Sequence, residues 1–213
     1  MVDMTTLLKR SRIYSMIVVG IDPGSRVTGY SFVTKQRNRF RLVEAGCIRT
    51  DPKQSIPERL HHIHEQLDLL LTQHSPDVAA IEEIFSGKSV KSALLLGQAR
   101  GVALMTLGKH SLSVHAYHPN KIKKNVGGHG KAGKNEMIRV VSMLLGVSTP
   151  LQADAADATA IAMTHLMLAN LSNVGQPNDS SSTPRPSLTQ ALMNQAAKDK
   201  ASRTQRTQQR RRR

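Results

Sequence analysis

Four acidic residues stand at places where few structural roles require a charge. Asp22 closes the apolar run Ile17-Val18-Val19-Gly20-Ile21 and runs straight into a Pro23-Gly24-Ser25 turn. Glu82, followed by Glu83, lies near the end of a second apolar run over residues 77–84. Asp154 and Asp157 sit three apart at the head of a stretch rich in Ala, Ile and Met. On a helix, positions i and i+3 share a face with Cβ atoms about 5–6 Å apart, so two carboxylates there repel unless a cation lies between them. The helix dipole relieves part of that repulsion in the first turn. This leaves open a structural reading, with Asp154 as N-cap and Asp157 as its partner. Strand alternation groups Glu82 with Val78 and Ala80, and Glu83 with Ala79 and Ile81, and does not choose between the two glutamates.

Taken together, the acids suggest a metal centre. Oxygen-only ligands favour Mg²⁺ or Mn²⁺, hard ions that bind carboxylates and phosphate oxygens while keeping water. Two such ions about 3.5–4 Å apart can clamp the attacking and leaving oxygens of an in-line phosphoryl displacement. Phosphodiester hydrolysis is the chemistry this set would serve, and without metal the carboxylates would repel the substrate.

Charge supports that substrate class. The chain carries 30 Lys and Arg against 15 acidic residues, a net charge of +15. Residues 172–213 hold nine Lys/Arg and two Asp, so about half of the excess remains on residues 1–171. A polyanion is the natural partner, since each neutralised phosphate releases counterions. With three Tyr, three Phe and no Trp in 213 residues, a base-stacking platform for single strands is disfavoured. A duplex or branched substrate held by its phosphates fits better. Cys47 is the only cysteine, which excludes an intrachain disulfide and suits a reducing cytosol. The apolar run at residues 16–21 is far short of the ~20 residues that span a bilayer, and Asp22 interrupts any secretory pattern. A cytoplasmic protein is expected.

The elements that must position these acids can be read from periodicity. Residues 17–21, 29–34 and 40–49 read as three successive strands, with turns at 23–25 and 35–39. Leu60, Ile63, Leu67, Leu70 and Leu71 mark one face of a helix over 57–72. A buried strand over 77–84, a long helix over 89–107 and a short strand over 113–116 come next. Pro119 opens another helix. Residues 126–133 form a glycine-rich loop, and helices over 134–145 and 153–168 close the fold. Three strands in a row, then alternation with helices, predict an α/β fold with a five-stranded mixed sheet flanked by helices. Residues 1–15 lack periodicity and read as a flexible extension before Met16, itself a candidate translation start. Residues 16–171 make the folded domain. Residues 172–213, rich in Ser, Gln, Asn and Arg, read as a disordered basic tail.

Five segments, in order, resemble the RuvC family of Holliday junction resolvases. They are Gly20-Ile21-Asp22-Pro23-Gly24-Ser25-Arg26-Val27-Thr28-Gly29-Tyr30, Ala80-Ile81-Glu82-Glu83-Ile84-Phe85, Leu96-Gly97-Gln98-Ala99-Arg100-Gly101, Gly128-His129-Gly130-Lys131-Ala132-Gly133-Lys134 and Gln152-Ala153-Asp154-Ala155-Ala156-Asp157-Ala158. The resemblance covers about residues 16–169 and implies a ribonuclease-H-like fold. It assigns catalysis and metal binding to Asp22, Glu82, Asp154 and Asp157, choosing Glu82 over Glu83. Lys123 and Lys134 are implied beside the scissile phosphate, with Phe85 and Lys131 as further DNA contacts. It also implies two Mg²⁺ ions (or Mn²⁺), a homodimer built on the helix of Gly97 and Gly101, a four-way junction as substrate and the RuvA–RuvB branch-migration complex as partner. Paired nicks in strands of like polarity, leaving 5′-phosphate and 3′-hydroxyl ends, are the expected reaction. The residues alone leave three rivals: a protein that binds junctions without cutting, an actin-like phosphotransferase, and a nuclease of the same fold with another target.

Overall fold

A computed structural model describes residues 16–36, 39–83, 90–128 and 133–174. Phe85, Lys131, the leader before Met16 and the tail beyond Val174 lie outside the described residues. Five strands form one mixed sheet: β1 (Ile17–Asp22), β2 (Val27–Gln36), β3 (Arg39–Arg49), β4 (Val78–Glu82) and β5 (Val114–Tyr117), in the order β3-β2-β1-β4-β5. β1 pairs antiparallel with β2, and β2 with β3, while β1–β4 and β4–β5 are parallel. This is the five-stranded mixed sheet anticipated from the order of elements, in the ribonuclease-H-like fold that the resemblance implies.

Helices cover both faces, which is why β1 reads as an unbroken apolar run rather than an alternating one. On one face lie α1 (Ile56–His74) and α2 (Val90–Lys109). Ile63, Leu67 and Leu71 of α1 are buried there against Val19, Ile21, Phe32 and Ile81. Each such side chain contributes about 1.5–3 kcal/mol by leaving water. On the other face lie α3 (Pro119–Gly127), α4 (Lys134–Leu145) and α5 (Ala153–Val174). Val18, Val33, Val78 and Ala80 pack there against Ile122, Met137, Val141 and the Ala160–Met163 stretch of α5. Every expected helix is present. α4 has the bounds the periodicity predicts, while α5 continues past its expected end at residue 168, and past the expected domain boundary at 171, to Val174, since no Gly or Pro interrupts it before Gly175.

Two local departures matter for function. The β2–β3 register shifts between Phe32 and Val33, because Glu44 faces Phe32 while Leu42 faces Val33, leaving Val43 as the inserted residue of a β-bulge. The bulge lets Phe40 and Leu42 join the α5 side of the core while Ile48 joins the other side. On α2, a Cβ at Gly97 or Gly101 would meet nothing within 4 Å among the described residues, so packing among those residues is not what these glycines serve. Among the described residues no helix is long and apolar enough to cross a membrane.

Candidate active site

Asp22 is the last residue of β1, and Glu82 the last of β4. Because Ile21 pairs with Ile81, the two acids stand side by side at the carboxyl edge of the parallel strands. Val18 and Gly20 share a face with Asp22, and Val78 and Ala80 with Glu82. That is the face α5 covers. Tertiary packing thus separates the two glutamates that periodicity left equivalent: Glu82 looks toward α5, and Glu83 is exposed just beyond the strand.

α5 reaches the sheet because two strand residues have no side chain. A Cβ on Gly20 would overlap the carbonyl oxygen of Ala158, and one on Gly29 would overlap that of Asp154. Gly29 is the register partner of Asp22, so the missing side chain brings the first turn of α5 onto the acid that ends β1. Thr159 adds a buried hydrogen bond from its hydroxyl to Ser31 Oγ, 2.8 Å away. Asp22, Asp154 and Asp157 thereby offer carboxylate oxygens all within 4.8 Å of one another. The N-cap reading of Asp154 is overturned. α5 already includes Ala153, and the Ala156 amide donates to the Gln152 carbonyl (2.8 Å), so Asp154 lies inside the first turn.

The loop after Asp22 is held from behind. Arg59 of α1 is a buried guanidinium that donates to the Ser25 carbonyl and to Thr50 Oγ1 (3.1 Å). Thr50 in turn donates its hydroxyl to the Ser25 carbonyl (2.8 Å) and its amide to the Arg26 carbonyl (3.0 Å). Arg100 Nε donates to the Glu82 carbonyl at 3.2 Å, fixing the end of β4. Sequence reading passed over Arg59, Gly20 and Gly29 as site determinants. The signal that would have found the glycines is their position in strands otherwise built of bulky residues.

The electrostatics of the cluster are compatible with a bound cation. Burial, followed by the charges of Glu82, Asp157 and Asp154, pushes the Asp22 carboxyl up to about 7, against which Lys134 pulls down. Asp157 is also raised, by burial first, with Lys134 and Lys123 opposing. A carboxylate set that resists ionising together has the chemistry of a divalent-metal site, since an ion between the groups removes both the desolvation and the repulsion. Glu82 lies outside the tight trio yet is the foremost of the charges acting on Asp22. Lys134 Nζ stands 3.6 Å from Asp157 and 3.9 Å from Asp154. It opens α4 directly after Gly133, whose amide donates to Glu136 at 3.3 Å. A cavity of about 250 Å³ joins Glu82, Lys123, Lys134 and Asp157, with Met137 and Ile161 on its apolar wall. Of the eight residues expected at the site, six are therefore brought to one place, and Phe85 and Lys131 fall outside the described residues.

Several known proteins similar in sequence carry a shared name. A family model described as "Crossover junction endodeoxyribonuclease RuvC" matches residues 18–165. The crossover junction endodeoxyribonuclease RuvC of Alkaliphilus oremlandii is 39% identical over 160 residues, spanning 75% of this chain and 98% of that protein. The Proteus mirabilis protein of the same name is 44% identical over 162 residues, or 76% and 93% of the two chains. Among solved structures, Thermus thermophilus RuvC in complex with a Holliday junction substrate superposes with a TM-score of 0.69 at 33% identity, covering 74% of this chain and 96% of that one. The chain belongs to the RuvC family of crossover junction endodeoxyribonucleases.

Proposed function

We propose that the protein resolves Holliday junctions in recombination and repair, as a cytoplasmic homodimer that nicks opposite strands of like polarity and leaves 5′-phosphate and 3′-hydroxyl ends. The observation that carries this reading is the convergence of Asp22, Asp154 and Asp157 within 4.8 Å, beside Lys134, in a chain of this family. Asp22, Glu82, Asp154 and Asp157 would hold two Mg²⁺ ions, with Mn²⁺ able to replace them. When bound, such ions supply the Lewis acidity that activates a water and stabilises the departing 3′-oxygen. The side chains do the rest. The buried carboxylates fix the geometry, while Lys134 and Lys123 offset the charge that develops on the phosphate. Phe85 and Lys131 engage DNA near the crossover.

The dimer reading is supported by the open face of α2, where Val90, Leu94 and Met105 are exposed around Gly97 and Gly101. A second copy seated there would repeat the active site about a two-fold axis, matching a two-fold junction. The RuvA–RuvB complex enters as partner from the family alone. The nuclease domain in this reading begins at Met16 and runs through α5, which ends at Val174 rather than at the expected boundary of 171.

The test is cleavage of a labelled four-way junction beside a linear duplex of matching sequence, with Mg²⁺ or EDTA, using wild type and Asp22→Asn. Symmetric, metal-dependent nicks in the junction alone, lost in Asp22→Asn while binding is kept, are expected. Equal cutting of the linear duplex would replace this reading with a general nuclease, and tight binding without cutting would replace it with a junction-binding protein.

A further inference from the structure

The end of the sheet farthest from the acids carries a set of cations that the acidic site does not use. Lys35 is the penultimate residue of β2, and Arg39 and Arg41 open β3. Lys35 pairs with Phe40, and its ammonium lies 5.4 Å from the centre of the Phe40 ring. Arg39 and Arg41 are exposed. Among the described residues no carboxylate forms an ion pair with any of the three, whereas Lys109 and Lys134 elsewhere each stand beside aspartates. No acidic residue occurs between Asp22 and Glu44, so the hairpin arms are basic without internal compensation.

The bulge at Val43 sets the directions of these side chains. Phe40 and Leu42 belong to the core on the α5 side, so Lys35, level with Phe40, stands on that side. Arg39 and Arg41 alternate with Phe40 and Leu42 and therefore project on the opposite side. A two-stranded ribbon with cations on both of its faces complements a cleft with anions on both walls. A duplex groove is such a cleft, and the major groove, about 12 Å wide, admits a two-stranded ribbon. A flat acidic protein surface would engage only one face of it.

We propose that the β2–β3 hairpin is a second DNA-binding element, in which Lys35 on one side and Arg39 and Arg41 on the other grip phosphates across a groove of a duplex arm. This rests on the junction-binding function proposed for the acidic site and extends it to a place remote from the chemistry. From Gly29, level with Asp22, to Gln36 at the end of β2 is seven residues. At about 3.3 Å per residue the hairpin end stands roughly 23 Å from the acid cluster. With side-chain reach subtracted, an arm running along the sheet meets it about five base pairs from the cut, at about 3.4 Å per pair.

The experiment measures junction binding by the full chain in EDTA across a salt series, comparing wild type, K35Q/R39Q/R41Q and the charge-keeping R39K/R41K. Two junctions are used, one with long arms of about 15 base pairs and one with loop-closed arms of about four, the second ending before the hairpin at about 3.4 Å per pair. On long arms the glutamine variant should lose up to about 2.7 from the slope of log affinity against log salt, at about 0.9 per phosphate. At least a tenfold loss of affinity at about 0.1 M salt should accompany it. R39K/R41K should stay close to wild type, which also guards against misfolding, and nicking at saturating protein should be unchanged. On short arms the penalty should vanish. No penalty on long arms, or an equal penalty on both junctions, would overturn the hairpin contact and leave the cations as a solvated or merely long-range charge. A wild type that does not prefer the junction over linear duplex would instead overturn the proposed function, so the two failures are separate.

Discussion

Removing the charge of Asp22, the acid proposed to hold metal, should make the metal-free protein more stable, and by an amount set by pH. The Asp22 carboxyl rises from the ordinary 3.8 to about 7, through burial first and then through Glu82, Asp157 and Asp154. An acid whose pKa is higher in the folded state binds its proton more tightly when folded. Its ionisation therefore costs stability as pH rises through the window from 3.8 to about 7, and the cost is complete above that. At about 1.36 kcal/mol per pH unit, the upper bound is about 4 kcal/mol at pH 8 and about 1 kcal/mol at pH 4.5. Asparagine fills nearly the same volume and carries no charge, so Asp22→Asn should recover this free energy. A domain of this size shifts its Tm by about 2–4 °C per kcal/mol, so even half of the bound would appear as about 4–8 °C. The assay is thermal unfolding in EDTA at pH 8 and pH 4.5, for wild type and variant, followed by Mg²⁺ titration at pH 8. Added Mg²⁺ should raise the Tm of wild type more than that of the variant, because the ion relieves the same repulsion. A variant less stable than wild type at pH 8, or a shift of equal size at both pH values, would refute the electrostatic account of the cluster.

The remaining predictions concern the groups that shape the site. Gly29→Ala would press a methyl into the Asp154 carbonyl, so about 1–3 kcal/mol of overpacking should appear in chemical unfolding, with nicking falling further than junction affinity. Lys134→Met should lower the nicking rate by about 10²-fold, the scale of losing one charge-stabilising group. Since Lys134 holds Asp22 and Asp157 down, the acid limb of the pH–rate profile should also move to higher pH, and an unmoved limb would remove Lys134 from the cluster's electrostatics. Arg59→Met removes the charged donor shared by the Ser25 carbonyl and the Thr50 hydroxyl, which keep their bond to each other, and the loss of a charge-assisted bond costs about 1.5–3 kcal/mol. If Arg59 positions the loop after Asp22, the variant should need more Mg²⁺ for half-maximal nicking, and Arg59→Lys should restore part of that affinity.

Local signals in this chain carried far. The apolar period of α1 and the uninterrupted run of β1 each reflect interactions within a few residues, and both elements lie where their periods place them, whereas Val126 and Gly127, expected in a glycine-rich loop, are the last turn of α3. The acids were visible because a charge at the end of an apolar run is locally anomalous. What the sequence alone left undecided depended on contacts between distant segments. Periodicity leaves Glu82 and Glu83 equivalent and only the resemblance chooses Glu82; the physical reason is which sheet face receives α5, together with the register of Ile21 against Ile81 that sets Glu82 beside Asp22. The choice of Asp154 as site residue rather than cap rests on where α5 begins, and its approach rests on missing side chains at Gly20 and Gly29, more than a hundred residues earlier. Arg59 is legible from sequence only as a polar residue on a helix. Its role appears when α1 packs behind the turn that comes after Asp22. The bulge at Val43 has no marker such as glycine, so the two-sided display of Lys35, Arg39 and Arg41 emerges only from the pairing of β2 with β3. Periodicity is a property of neighbours along the chain, whereas a site is a property of neighbours in space, and only packing converts the first into the second.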